Sequence, residues 1–187
     1  MSEPIWFPHL TVAAIVERKG HFLCVEEHSR HNNVINQPAG HVDQDESIVD
    51  AVRREVLEET GYVFSPESIV GLYYFKGTNQ VSYLRVCFNG SIKHQQHDGP
   101  MDPDITQIHW LTREELNQQK LRSPVVLDCI DDYLSGQSFP LQMINDRVTS
   151  REKLPCVHPT TAIYTFVMAI CSNTWSTTLH GNFNVLW

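Results

Sequence analysis

Strand-like runs alternating with helical ones place this 187-residue chain in the α/β (α+β) class. Three observations carry that expectation. Two strand pairs, each joined by a turn, flank one amphipathic helix over residues 47–60; a further strand-like run follows at 105–111; helix-start signals then appear at Thr112 and at Ser123-Pro124. No internal repeat interrupts the pattern, and the length suits one domain, expected over 8–150, plus an extension.

The elements follow in order. Residues 10–16 (LTVAAIV) and 21–26 are apolar, β-branched runs joined at Arg18-Lys19-Gly20, the composition of a hairpin. Residues 29–36 are polar and read as a loop, and Pro38 and Gly40 shape a short approach to the helix. Within 47–60, Ile48, Val52 and Val56 recur at i, i+4 and i+8, and Val49 widens the stripe. Asp43, Asp45 and Glu46 lie at its N-terminal end, where the macrodipole favours negative charge, and Gly61 is a left-handed terminator. Residues 69–76 and 81–90 read as a second hairpin over Gly77-Thr78-Asn79, and 94–104 as a polar, proline-containing loop. Thr112 with Glu115 makes a capping box. Ser123 suits an N-cap and Pro124 a first helical position for a helix over 125–134.

Composition narrows the partners. Asp and Glu outnumber Lys and Arg 22 to 14, for a formal charge of −8. That balance argues against stable nucleic-acid or anionic-membrane binding, both of which need a basic face. No stretch approaches the ~20 apolar residues of a membrane span, and Met1-Ser2-Glu3-Pro4 lacks the basic start of a signal peptide. Cys24, Cys87, Cys129, Cys156 and Cys171 form no C-x-x-C pair, and the first two sit in strand-like runs as reduced core residues. A cytoplasmic monomer is expected.

The segment 40–62, GHVDQDESIVDAVRREVLEETGY, carries most of the chemistry. Seven carboxylates stand in it against only Arg53 and Arg54, a cluster that repels itself unless something positive enters. On a helix, Glu55, Glu58 and Glu59 lie three and four residues apart and project as neighbours. Oxygen donors so placed suit Mg²⁺ or Mn²⁺. Arg54 can pair with one carboxylate and orient it, and the Gly40 carbonyl approaches from the preceding loop. The competing reading is a solvated acidic helix face. Against it stands the spacing: Gly40, five residues, Glu46, seven, Arg54-Glu55, two, Glu58-Glu59, one, Gly61, a coincidence expected on the order of once in a million chains.

This box resembles the signature of the Nudix family, G-x5-E-x7-R-E-U-x-E-E-x-G-U with U a bulky aliphatic. Val56 fills the first U, and Tyr62 departs from the last. The resemblance implies an α/β/α sandwich around a mixed β-sheet and hydrolysis of a phosphoanhydride in a nucleoside diphosphate linked to another group. It also implies Glu55, Glu58, Glu59 and the Gly40 carbonyl as metal ligands, with Glu55 the first choice of general base and Arg54 beside it. A narrower resemblance, to a group of bacterial phosphatases within the family, runs from about His9 to Asp146. It rests on Asn36-Gln37-Pro38-Ala39-Gly40-His41, Leu84-Arg85, Asp104-Ile105 with Trp110, Arg122-Ser123-Pro124 and Pro140-Leu141-Gln142-Met143-Ile144. It implies stepwise release of phosphate from nucleoside tri- and diphosphates, with thiamine diphosphate as a further substrate, and Gln37, Arg85, Asp104 and Arg122 at the substrate.

Each of those four has a plainer reading. Arg85 and Arg122 can be surface ion pairs, Gln37 a solvated loop residue, and Asp98, Asp102 and Asp104 turn formers. Tyr73, Tyr74 and Phe75 can stack on a base or fill the core. His28-Ser29-Arg30-His31 lacks zinc-site spacing and reads as a solvated loop. The alternatives are a Nudix pyrophosphohydrolase acting on a nucleotide sugar, a dinucleoside polyphosphate or capped RNA, and a non-catalytic nucleotide-binding Nudix fold. Residues 154–187 contain no Asp, Glu, Lys or Arg, although such residues make up 19% of the chain. The segment 151–187 is therefore expected to be a poorly ordered extension outside catalysis.

Overall fold

The computed structural model describes residues 5–28, 33–96, 98–145 and 147. The elements are β1 (His9–Ile15), β2 (Glu17–Arg18), β3 (His21–Glu27), β4 (Val34–Asn36), β5 (Ala39–His41), α1 (Ile48–Thr60), β6 (Tyr62–Lys76), β7 (Ser82–Gln95), β8 (Ile105–Leu111), α2 (Arg113–Leu116), α3 (Val125–Leu134) and β9 (Phe139–Pro140), followed by a 3-10 turn, Leu141–Met143. They form two sheets. The larger runs β5-β1-β7-β6-β9 and is mixed, because β1 pairs β7 in parallel while its other pairings are antiparallel. The smaller is antiparallel, with β3 pairing β2, β4 and β8.

The two-residue period of β1 divides the core. Val12 and Ala14 enter one buried cluster with Val86, Phe88 and Ala51, Val52 and Val56 of α1. Ala13 and Ile15 enter another with Phe22, Cys87 and Val125, Val126, Cys129 and Ile130 of α3. Helix α1 thus covers one side of the large sheet and α3 the other, the α/β/α layering expected. Cys24, Cys87 and Cys129 are buried free thiols, and burial pushes the Cys24 thiol up to about 12. No helix among the described residues is long and apolar enough to cross a membrane.

Helix α1 begins and ends as its sequence signals dictate. The Ser47 hydroxyl accepts the Asp50 N–H at 3.0 Å. Gly61 terminates the helix at φ 72°, donating its N–H to the Leu57 carbonyl. The capping box at Thr112 forms with Glu115 as expected. At the third helix the expectation is off by one position. Pro124 occupies the cap position with helical φ and ψ, and the Ser123 hydroxyl accepts the Val125 N–H at 3.3 Å.

Three further differences have physical causes. Residues 34–36, expected as loop, form β4, and all three are buried between β3 and a backbone bridge from Ile35 to Leu121. The second hairpin is much longer than its sequence pattern, because register shifts near Phe64, Pro66 and Ile69 break the alternation that marks a strand. Strand β7 passes through Gly90 rather than stopping there. A Cβ at Gly90 would sit 2.2 Å from the Ser65 carbonyl oxygen, so glycine permits the close approach. The His28–His31 run lies mostly outside the described residues, as do Cys156, Cys171 and the extension 151–187. Gly61→Ala should cost about 1–2 kcal/mol, the penalty of a Cβ in the left-handed region. Urea unfolding monitored by far-UV circular dichroism checks this, with a lower midpoint expected.

Candidate active site

Arg54 is the centre of the acidic segment. Its Nε and Nη2 donate to the two carboxylate oxygens of Glu46, both at 2.8 Å, in a bidentate pair. Its Nη1 donates to Glu55 Oε1 at 2.7 Å and Glu58 Oε2 at 3.1 Å, and Nη2 also reaches the His41 carbonyl at 3.0 Å. The signature's first glutamate, its arginine and two of its later glutamates therefore form one hydrogen-bonded unit. Arg54 holds Glu46 below the usual carboxylate range, and the Asp43 N–H on Glu46 Oε2 helps.

Glu55 and Glu59 behave differently because they are buried. The Glu55 carboxyl is pushed up by burial, against the pull of Arg54. It packs directly on Gly40: a Cβ there would lie 2.1–2.3 Å from all three carboxyl atoms. Glu59, 5% exposed, accepts the Ala39 N–H at 2.9 Å, and burial raises its carboxyl well above the usual range. Strand β5 and helix α1 are thus joined at the two carboxylates, with Gly40 supplying the clearance.

A cavity of about 370 Å³ opens beside this junction. Gly40, His41 and Glu59 line one part of it, Asp102 and Asp104 another, and Glu27 and Arg122 a third. Its sheet-side wall is Thr11, Arg85, Phe75 and Tyr83. Arg85 is only 6% exposed, and its Nε and Nη1 find no hydrogen-bond partner among the described residues. Its guanidinium lies over the Phe75 ring, 5.6 Å from the centroid. The surface ion-pair reading of Arg85 does not describe this residue. Arg122 does form an ion pair, with Glu27 at 3.4 Å, brought there because the Arg122 N–H donates to the Ile35 carbonyl.

Asp104 also lies at the cavity, in a braced loop. The Met101 and Asp102 N–H groups donate to the Glu58 carbonyl, at 2.7 and 3.1 Å, and the Asp104 N–H donates to the Asp102 carboxylate at 2.8 Å. Gln37 is buried. It is 1% exposed and does not line the cavity, and its amide nitrogen and oxygen find no hydrogen-bond partner among the described residues. Of the three consecutive aromatics on β6, Phe75 faces the cavity and Tyr74 faces solvent. Tyr73 packs on the α3 side and donates its hydroxyl to Asp132 at 2.8 Å.

Glu27 is a site residue that sequence reasoning missed. The Glu26-Glu27 pair ends a strand, and nothing local tells which faces the cavity. Glu26 turns away, accepting from Asn33 and pairing with His109. Thr11 gives no signal either, being one small residue in an apolar strand.

A profile of the NUDIX domain matches residues 7–129. The chain belongs to the Nudix family. It is 39% identical over 140 residues to phosphatase NudJ of Escherichia coli strain K12, covering 74% of this chain and 92% of that protein, and equally similar to NudJ of Shigella flexneri. Among solved structures, a NUDIX hydrolase from Nitrosomonas europaea superposes with a TM-score of 0.73 at 38% identity, covering 77% of this chain and all of that one. The NUDIX domain of Shewanella oneidensis NrtR, solved with ADP ribose, shares the fold at a TM-score of 0.60 and 18% identity, covering 71% and 90%. The protein is a Nudix hydrolase acting on phosphoanhydride bonds and similar to the phosphatase NudJ.

Nudix hydrolases generally use a divalent metal. The donors here fit one: carboxylate and carbonyl oxygens, the hard ligands that such cations take. They are not gathered into a coordination sphere, and no cluster of three metal-ligating side chains stands ready among the described residues. Arg54 holds Glu55 and Glu58, and the Ala39 N–H holds Glu59. Gly40→Ala tests how tightly this junction is built. The added methyl must displace the Glu55 carboxyl, whose Oε1 is already held by Arg54. Steady-state kinetics should show kcat lower by about 10²-fold, the scale of a misplaced catalytic group, in a protein with native circular dichroism.

Proposed function

We propose that the enzyme shortens nucleoside tri- and diphosphates one phosphate at a time, releasing orthophosphate, and also hydrolyses thiamine diphosphate, with Mg²⁺ as the natural ion and Mn²⁺ able to replace it. The observation that carries the reading is Arg85: a buried guanidinium on the wall of a cavity that Glu59 also lines, with two N–H-bearing nitrogens unpaired among the described residues. Burying such a group without a partner is costly, and an anionic phosphate is the partner it lacks. The similarity to the phosphatase NudJ supports release of phosphate.

Glu58 and Glu59, assisted by the Gly40 carbonyl and with Glu55 close by, would hold the cation. When bound, it neutralises phosphate charge and makes water more acidic. The remaining work falls to the chain. Arg54 keeps Glu55 oriented through its 2.7 Å bond to Oε1. Glu55, its carboxyl raised by burial, accepts the proton of the attacking water. Arg85 donates to the phosphate oxygens, and Arg122, held by Glu27, adds a second cation near the cavity mouth. Asp104 helps align the substrate from the loop braced on α1. We place the enzyme in the cytoplasm as a monomer, without a stable nucleic-acid partner; the net charge of −8 supports the last point.

Three experiments test this reading. A time course with GTP or CTP and Mg²⁺ should show orthophosphate and nucleoside diphosphate before any monophosphate; pyrophosphate as the first inorganic product would move the enzyme to another Nudix specificity. Chelation by EDTA should abolish turnover, and added Mg²⁺ restore it. Glu59→Gln keeps shape while removing charge, so the folded variant should lose about 10²-fold or more in kcat. Near wild-type turnover at limiting Mg²⁺ would remove Glu59 from the ligand set. We further propose that 151–187 is dispensable for catalysis. A chain ending at Arg151 should keep its turnover, measured by the same phosphate-release assay.

A further inference from the structure

One face of the large sheet ends in a row of rings. On β7, Tyr83 and Arg85 are two residues apart and so share a face. Phe75 on β6 lies directly opposite Tyr83, and His9 on β1 is Tyr83's neighbour on the other side. Farther along, the same face carries Ala13 and Cys87 into the core beneath α3. Where that cover stops, the cavity begins.

The rings are ordered. Phe75 and Tyr83 stack with centroids 5.4 Å apart and planes 19° apart, and the Arg85 guanidinium stands over Phe75 at 5.6 Å. His9 braces the Tyr83 ring edge-to-face at 5.6 Å, and the Asn79 amide donates to the Tyr83 hydroxyl at 2.8 Å. A pair of aromatics held from three sides is ordinary in a core. These two are only half-buried, whereas Phe22, Phe64 and Phe88 are 0–3% exposed. Their open sides line the same cavity as Arg85 and Glu59.

We propose that Phe75 and Tyr83 form a stacking wall for a planar aromatic ring carried by the substrate, the specificity-determining end of a site whose phosphate end is Arg85. This rests on the substrate reading above. Two residues of strand separate Tyr83 from Arg85 by about 6.6 Å, roughly the span of a pentose between base and phosphate. The chemistry recognised is a flat aromatic ring linked to a di- or triphosphate, which either a nucleobase or the thiazolium of thiamine diphosphate supplies. Stacking tolerates any base, because each has a π-face. No residue of the wall offers the fixed bidentate pattern that would single one out, so GTP and CTP should be used with similar efficiency.

The test is a ratio of kcat/KM values for a ring-bearing substrate (GTP, CTP or thiamine diphosphate) and for inorganic tripolyphosphate, which has no ring. Because it is a ratio, the fraction of correctly folded enzyme cancels. Tyr83→Leu and, independently, Phe75→Leu should each lower it by about tenfold, the scale of one lost base–aromatic stack. Tyr83→Phe should leave it close to wild type. A fall for GTP and CTP identifies a nucleobase as the ring, and a fall for thiamine diphosphate alone identifies its thiazolium. Ratios unchanged in both leucine variants for every ring-bearing substrate would overturn the proposal, as would a Tyr83→Phe loss equal to that of Tyr83→Leu. The stepwise-release reading fails separately: it falls if wild-type enzyme yields pyrophosphate first, whatever the ratios show.

Discussion

Seven carboxylates within seventeen residues, from Asp43 to Glu59, cannot share one helix and its approach without positive charge among them. Arg54 supplies it. The guanidinium has five N–H donors in a planar fork. It spends them on both oxygens of Glu46, on Glu55, on Glu58 and on the His41 carbonyl. A lysine offers one compact charge and cannot hold that many acceptors in fixed directions. The same residue thus ties the loop before α1 to the helix and fixes the directions of Glu55 and Glu58. Local stability and the geometry of the site share one dependence.

Burial then separates carboxylates that look alike in sequence. Glu46 is held low by Arg54, whereas Glu55 and Glu59 are raised by desolvation. Carboxyl groups within a few residues therefore differ in proton affinity through their surroundings alone. The close contact of Glu55 with Gly40 and the Ala39 N–H on Glu59 make β5 a structural partner of α1 as well as a sheet edge. The mixed sheet builds one wall of the cavity. Its parallel β1–β7 pairing sets Thr11 beside Arg85, and the long β6–β7 hairpin sets Phe75 beside Tyr83.

Much of this was legible beforehand. Helix α1 appeared with its cap, terminator and apolar stripe because each signal is local: Ser47, Gly61, and Val52 and Val56 at helical spacing. β1, β3, β8, α2 and α3 were legible for the same reason. β4 was hidden, since three residues after a polar stretch show no periodicity and become a strand only by pairing with β3. The second hairpin looked short because Pro66 and Gly90, which read as breakers, sit where the ladder shifts or the opposing backbone approaches closely.

By itself the amino-acid sequence determined the signature: its spacing, the helix that carries it, and the placing of Glu55, Glu58 and Glu59 on one side. Those features depend on contacts within about one or two helical turns, and the helical repeat alone sets them. Tertiary structure decided which distant residues share the cavity with them. Arg85, Asp104, Arg122 and Glu27 come from four separate segments, and strand register and one backbone bridge from Ile35 to Leu121 bring them together. It also decided that Arg85 is buried, with Nε and Nη1 unpartnered among the described residues, while Arg122 is ion-paired, and that Gln37 is buried away from the cavity lining. Burial and pairing of a polar group are set by whatever lies across from it, and local sequence holds no record of that neighbour.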